Sequence, residues 1–163
     1  MKYIKYLIFI FFIFISCSNK QIQIGPESLG IISESTGLKI QLDDNIMKVA
    51  KELNIPSSVI ENSVSTGERG SSKITFEGVD FIFDSQAMDI TSVVITNNKY
   101  RTVGNIKIGS TMKDIESTFL DVDLFHNSCT VYYYDNNRHA KGYYFEFDTN
   151  LRVKKIIMNY FSE

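Results

Sequence analysis

The chain has 163 residues, 44% of them hydrophobic and 22% charged, with 2 prolines and 2 cysteines. That length suits one compact domain or two small intimate ones. The composition argues against a long disordered region, and the cysteine count against a disulfide framework. The formal net charge is −2, and without Lys2 and Lys5 it falls to near −4, with 15 basic against 19 acidic residues. No basic excess remains to draw nucleic acid or anionic lipid.

The most specific signal is at the start. Met1–Lys5 is a short basic region, Leu7–Ile15 (LIFIFFIFI) is wholly apolar, and Ser16 precedes Cys17. The apolar run is too short to cross a bilayer comfortably, which takes about 20 residues, so residues 1–16 read as a removable signal peptide. A small residue directly before cysteine resembles the lipobox of bacterial lipoproteins. That resemblance implies diacylation of the Cys17 thiol, cleavage before it and a palmitate-type anchor in the bilayer. Phe14 stands where the preferred pattern has Leu. The alternatives are an uncleaved signal anchor or cleavage by the ordinary peptidase. Ser18 gives no retention signal for an inner membrane, so the expected address is the bacterial cell envelope, at the outer membrane or cell surface.

Residues 17–35 read as the lipidated cysteine and a polar tether containing Gly25-Pro26 and Gly30. Leu38–Leu42 alternates as a short strand. Asp43-Asp44 then reads as a helix N-cap pair, followed by an apolar face of Ile46, Val49, Ala50 and Leu53. Asn54 and Pro56 stop the helix. A polar loop over Ser57–Ser72 holds a possible short helix at Ser57–Asn62. Lys73–Phe76 and Val79–Phe83 form a hairpin about Glu77-Gly78, and Ile90–Ile95 is the next strand.

The pattern then recurs. Ile40, Leu42, Ile46, Val49 and Leu53 map onto Ile106, Ile108, Met112, Ile115 and Phe119 at a constant offset of 66 positions, and the FxFD segments ending at Asp84 and Asp148 match at an offset of 64. Residues 36–98 and 99–163 therefore read as two copies of one unit. In the second copy Ile106–Ile108 is the short strand, the hairpin is Thr130–Tyr134 with Tyr143–Phe147, and the last strand is Val153–Met158. The expected fold is α+β, two tandem β-α-β-β-β repeats with helices packed on one face of a mainly antiparallel sheet.

No motif here carries chemistry. Asp84 and Asp148 each stand alone at a strand end, followed by Ser/Thr and Gln/Asn, which is turn chemistry rather than a calcium site. His126 and His139 lack ligand spacing, and no nucleophile elbow, zinc-protease helix or phosphate loop occurs. The chain offers no catalytic residue, no cofactor-binding residue and no metal ligand. Cys129 opens the strand-like run SCTVYYY, where a free thiol acts as a small hydrophobe. In Tyr143–Phe147, Tyr143, Phe145 and Phe147 share one face and Tyr144 takes the other. Either Tyr133 or the pair Tyr132 and Tyr134 must face outward too. Outward tyrosines on adjacent strands make an amphipathic platform suited to a protein partner; cross-strand pairing that only stabilises the sheet is the alternative.

Gly104–Leu120 (GNIKIGSTMKDIESTFL) and the closing FxFD-x-N-x-x-V-x-x-I at Phe145–Ile156 resemble envelope proteins of the β-lactamase-inhibitor-protein-like superfamily. The small lipoprotein subunit of the outer-membrane barrel-assembly machinery has a similar single unit. The resemblance runs over Thr36–Tyr160, with Leu42-Asp43 in place of the Ile-Gly step in the first copy. It implies helices on one face of a curved sheet and members that mostly bind other proteins. Fold alone does not fix function. The expected work is that of a non-catalytic protein-binding module tethered to the bilayer by acylated Cys17, with Tyr132, Tyr134 and Tyr144 as its contact residues and no nucleic acid. The other readings are a passive structural lipoprotein, and a small-ligand carrier or enzyme using a pocket near Cys129 or His126.

Overall fold

The computed structural model describes residues 21–67 and 70–161. The expected signal peptide, residues 1–16, and the expected lipidation site Cys17 lie outside the described residues. Two sheets are present. The smaller has the order β2-β1-β7, with β1 Ile31–Ser33, β2 Lys39–Ile40 and β7 Tyr100–Thr102. The larger has eight strands in the order β3-β4-β5-β6-β11-β10-β9-β8. Its members are β3 Val64–Ser65, β4 Ser71–Phe76, β5 Val79–Asp84, β6 Ile90–Ile95, β8 Asp123–Phe125, β9 Ser128–Tyr134, β10 Ala140–Phe147 and β11 Val153–Phe161. Every strand pairing in both sheets is antiparallel. The larger sheet runs inward from β3 to β6, crosses to β11, and runs outward to β8.

Helices are minor. Among the described residues they are α1 Ile46–Glu52, α2 Ser57–Glu61 and α3 Met112–Thr118, and strand occupies 44% of those residues against 14% for helix. This overturns the α+β expectation of a helical layer on the sheet: the fold is β-rich. The physical reason is length. Each apolar helical face ends after two turns, where Asn54 adopts φ 55° and Phe119 is already extended. Helix α1 buries Ile46, Val49 and Ala50, and α3 buries only Ile115. Further cover over the core comes from the small sheet, through Ile31, Ile40 and Tyr100, and from connecting segments, through Leu29, Leu42, Leu53 and Phe119.

Three local expectations also change. Asn45, not the Asp43-Asp44 pair, caps α1, its side chain accepting from the Met47 N–H at 3.1 Å. The segment 21–35 is no tether. Ile24, Leu29 and Ile31 are buried, β1 is the middle strand of the small sheet, and the Tyr143 hydroxyl both accepts from the Gly30 N–H at 2.7 Å and donates to the Gly30 carbonyl at 2.5 Å. Ile106–Ile108 forms no strand; the strand of that region is β7, and Ile106 is buried beside it.

Turn chemistry follows the residues. Glu77 and Gly78, at φ 48° and 76°, make the two-residue turn of the β4–β5 hairpin, whose twist matches the strands. The Asp84 carboxylate accepts from the Gln86 and Ala87 amides, both at 2.7 Å. Asp148 accepts from Asn150 at 2.8 Å and Arg152 at 2.9 Å. Thr111 and Asp114 form a reciprocal capping box at the start of α3.

Register divides the sheet cleanly. One row across the strands reads Ile74, Phe81, Val93, Met158, Tyr143, Val131, and all six are buried. The adjacent row reads Thr75, Asp80, Val94, Ile157, Tyr144, Thr130, none of them buried. The first row faces the core with the helices and the small sheet. The second belongs to an open outer face.

Candidate functional site

The aromatic part of the outer face is built from β9, β10 and β11. Because Val131 points inward, Tyr132 and Tyr134 must point outward, which settles the parity of the tyrosine run; they are 37% and 54% exposed. Their rings meet edge to face at 5.7 Å, and Tyr132 also meets Phe161 at 6.4 Å. Phe161 lies on β11, so Tyr132 reaches it across β10, where only Gly142 and Ala140 stand on that side. Glycine at 142 is required by space: a Cβ there would lie 2.1 Å from the Val131 carbonyl oxygen and 2.6 Å from the Tyr132 Cα.

Tyr144 lies further along the same face between Thr130 and Ile157, half-buried and outside the Tyr132–Tyr134–Phe161 group. The three expected tyrosines thus share a face, but two of them form a cluster and the third stands apart. Phe161 was missed because it lies beyond the expected end of the last strand. Polar groups frame the face. The Asp123 carboxylate beside Tyr132, through its charge and a hydrogen bond, pushes that phenol above its ordinary range. Glu146 pairs with Lys154 at 2.7 Å and Lys155 at 2.9 Å.

A second polar cluster sits on the core side, at the sheet's end. Lys141 donates to Asp43 at 3.0 Å, lies 3.5 Å from Asp135, and sits over the Tyr160 ring at 4.7 Å. Burial opposes the Lys141 charge, but hydrogen bonds to Tyr160 and Asp43 outweigh it and raise the ammonium pKa. Tyr160 is itself pushed up to about 12, first by burial and then by its bond to Asp43. Beside this cluster an open cavity of about 250 Å³ is lined by Pro26, Leu29, Gln41, Asp43, Tyr133 and Lys141. Gln41 in its wall donates from its side chain to the Pro26 and Leu29 carbonyls, both at 2.8 Å, and Asp44 accepts from the Gln41 backbone amide at 2.7 Å. A ligand there would have to displace bonds that join the 41–44 loop to β10 and β11.

No match to this chain is found among protein-family models, curated proteins or solved structures. The outer face and its chemistry therefore carry the functional reading by themselves. Among the described residues no group of three or more His, Cys, Asp or Glu is placed to hold a metal ion, and no helix is long and apolar enough to cross a membrane. Cys129 is fully buried, and burial, with the nearby Glu116 charge, pushes its thiol up to about 12, so it stays protonated. His126 and His139 are exposed, and His139 lies 3.7 Å from Asp135.

Several carboxylates, Asp114 exposed and the others half-buried, sit below their ordinary range. Asp84 is lowered by the Ala87 and Gln86 amides, Asp114 by Thr111, Asp135 chiefly by the His139 amide, and Glu146 by Lys154 and Lys155. A carboxylate whose folded pKa is depressed adds stability above the unfolded value, and that stability is lost as pH falls through the folded pKa. The urea midpoint should be flat from about pH 7 to 5 and fall below about pH 4. A midpoint that rises on acidification would contradict these assignments.

Proposed function

We propose that the chain is a membrane-anchored envelope lipoprotein whose larger sheet presents its outer face as a non-catalytic protein-binding surface. One observation carries this reading: Tyr132, Tyr134 and Phe161 form an exposed aromatic cluster on a sheet face that no described element covers. Such rings bring large contact area at low entropic cost, and their hydroxyls hold partners in register. The lipobox-like leader and Cys17 supply the anchor, two or more acyl chains being needed for stable retention.

The test is affinity capture of the lipidated protein from detergent-solubilised envelope, beside the variant with Tyr132, Tyr134 and Tyr144 changed to Ala. A partner held by the wild type should be lost at matched folding, since truncating an aromatic hot spot costs about 2 kcal/mol or more. An unchanged set of partners sinks the reading. It would leave the passive structural lipoprotein, which the reach of Tyr132 over Gly142 to Phe161 favours, since that contact also braces the sheet.

A further inference from the structure

Where the chain emerges from the fold fixes which part of the domain meets the membrane. Gln21 and Ile22 are pinned beside α3: the Gln21 side-chain amide donates to the Glu116 carbonyl at 2.5 Å, the Ile22 N–H donates to the Thr118 carbonyl at 2.6 Å, and the Leu120 N–H donates to the Ile22 carbonyl at 3.0 Å. Only Ser18, Asn19 and Lys20 separate Gln21 from Cys17. Four backbone steps reach at most about 14 Å, so an acylated Cys17 holds Gln21 within about that distance of the bilayer.

Exposed apolar side chains follow that point, set among the exposed polar residues Glu116, Ser117 and Asp121. Leu120, hydrogen-bonded to Ile22, is 38% exposed, and the edge strand β8 that follows exposes Leu124 by 56% and Phe125 by 60%. Leu124 is in register with Cys129 and Phe125 with Ser128, so the two side chains leave opposite sides of the sheet's rim. Apolar side chains on both sides of a rim suit the headgroup and acyl boundary, where headgroups and water still satisfy the unpaired backbone groups of the edge strand. Asp121 and Asp123 lie between these side chains in sequence, which disfavours an anionic surface.

We infer that the domain docks edge-on against a zwitterionic bilayer through Leu120, Leu124 and Phe125. This rests on the proposed anchoring at Cys17. It sets the aromatic outer face upright beside the membrane, open to a partner along the membrane plane.

Since the chain contains no tryptophan, a single introduced one reports a single site. The lipidated full-length protein carrying Phe125→Trp would be reconstituted in phosphatidylcholine vesicles brominated near the top of the acyl chains. Its emission should fall by about half, as for a ring seated about 5–10 Å into the headgroup and acyl boundary. Leu151→Trp, at a 58% exposed position in the β10–β11 turn, should keep its emission. Should Phe125→Trp misfold by circular dichroism, Leu124→Trp gives the same reading. Equal emission loss at both sites in protein that sediments with the vesicles overturns the docking alone. Protein that fails to sediment overturns the anchoring, and the docking with it.

Discussion

Phe145→Ala is expected to destabilise the fold by about 3–5 kcal/mol, read as a drop in the urea midpoint at constant slope. Phe145 is fully buried and lies 6.2 Å from the Phe119 ring and 5.7 Å from Tyr143. Its strand β10 is hydrogen-bonded on both sides, to β9 and β11, so the backbone cannot settle into the space left behind. The loss is the transfer term of the ring plus that of an uncollapsed cavity. Tyr144→Ala, one residue earlier on the outer face, should cost under about 1 kcal/mol. Equal costs at the two positions would overturn the assignment of faces. With domains stable by only about 5–15 kcal/mol, the Phe145 change removes a large part of the whole.

Gly142→Ala is expected to cost about 1–3 kcal/mol although it removes nothing. The new methyl meets backbone atoms of the next strand, the Val131 carbonyl at 2.1 Å and the Tyr132 Cα at 2.6 Å, which no side-chain rotation relieves. Strand β9 must move away from β10, and Tyr132 and Tyr134 move with it. On the proposed binding role, retention of a partner should therefore fall along with stability, without loss of any contact side chain. Gly25→Ala makes the control, since nothing lies within 4 Å of a Cβ built there, and it should stay within about 0.5 kcal/mol. If Gly142→Ala matched Gly25→Ala in a thermal melt, the close approach of β9 and β10 would be refuted.

The strands of the larger sheet were legible where apolar and polar residues alternate, as in Val79–Phe83 and Tyr143–Phe147, although β10 begins at Ala140, in a stretch that reads as part of the connection because Ala140, Lys141 and Gly142 carry no alternation. The short helices were legible from Ile46, Val49 and Ala50 and from Met112 and Ile115, though spacing did not show how little of the core they cover. What was hidden is short or distant. Strands β1 and β7 have three residues each, too few for a period to show. The segment 21–35 looked like a tether because its core residues Ile24, Leu29 and Ile31 are interrupted by Gly25-Pro26 and polar side chains. Asp43 looked like a cap; its partners Lys141 and Tyr160 are 98 and 117 residues away and no local pattern points to them. For the outer face, alternation paired Tyr132 with Tyr134, while the choice of side needed the cross-strand register with β10.

The join between β6 and β11 has a kinetic meaning. Hairpins such as β4–β5 and β10–β11 close over short turns, whereas Ile95 meets Ile156 only when about 60 residues of chain are looped. Contacts so far apart in sequence are the slow ones to form, so two half-sheets can assemble before they meet. Until then each leaves bare an edge rich in Val and Ile, β6 in one half and β11 in the other. A second molecule at the same stage offers the complementary edge, and exchange of halves between chains competes with closure within one. Refolding yield of monomer should therefore fall as protein concentration rises, and a yield independent of concentration would show that the join closes too quickly for exchange.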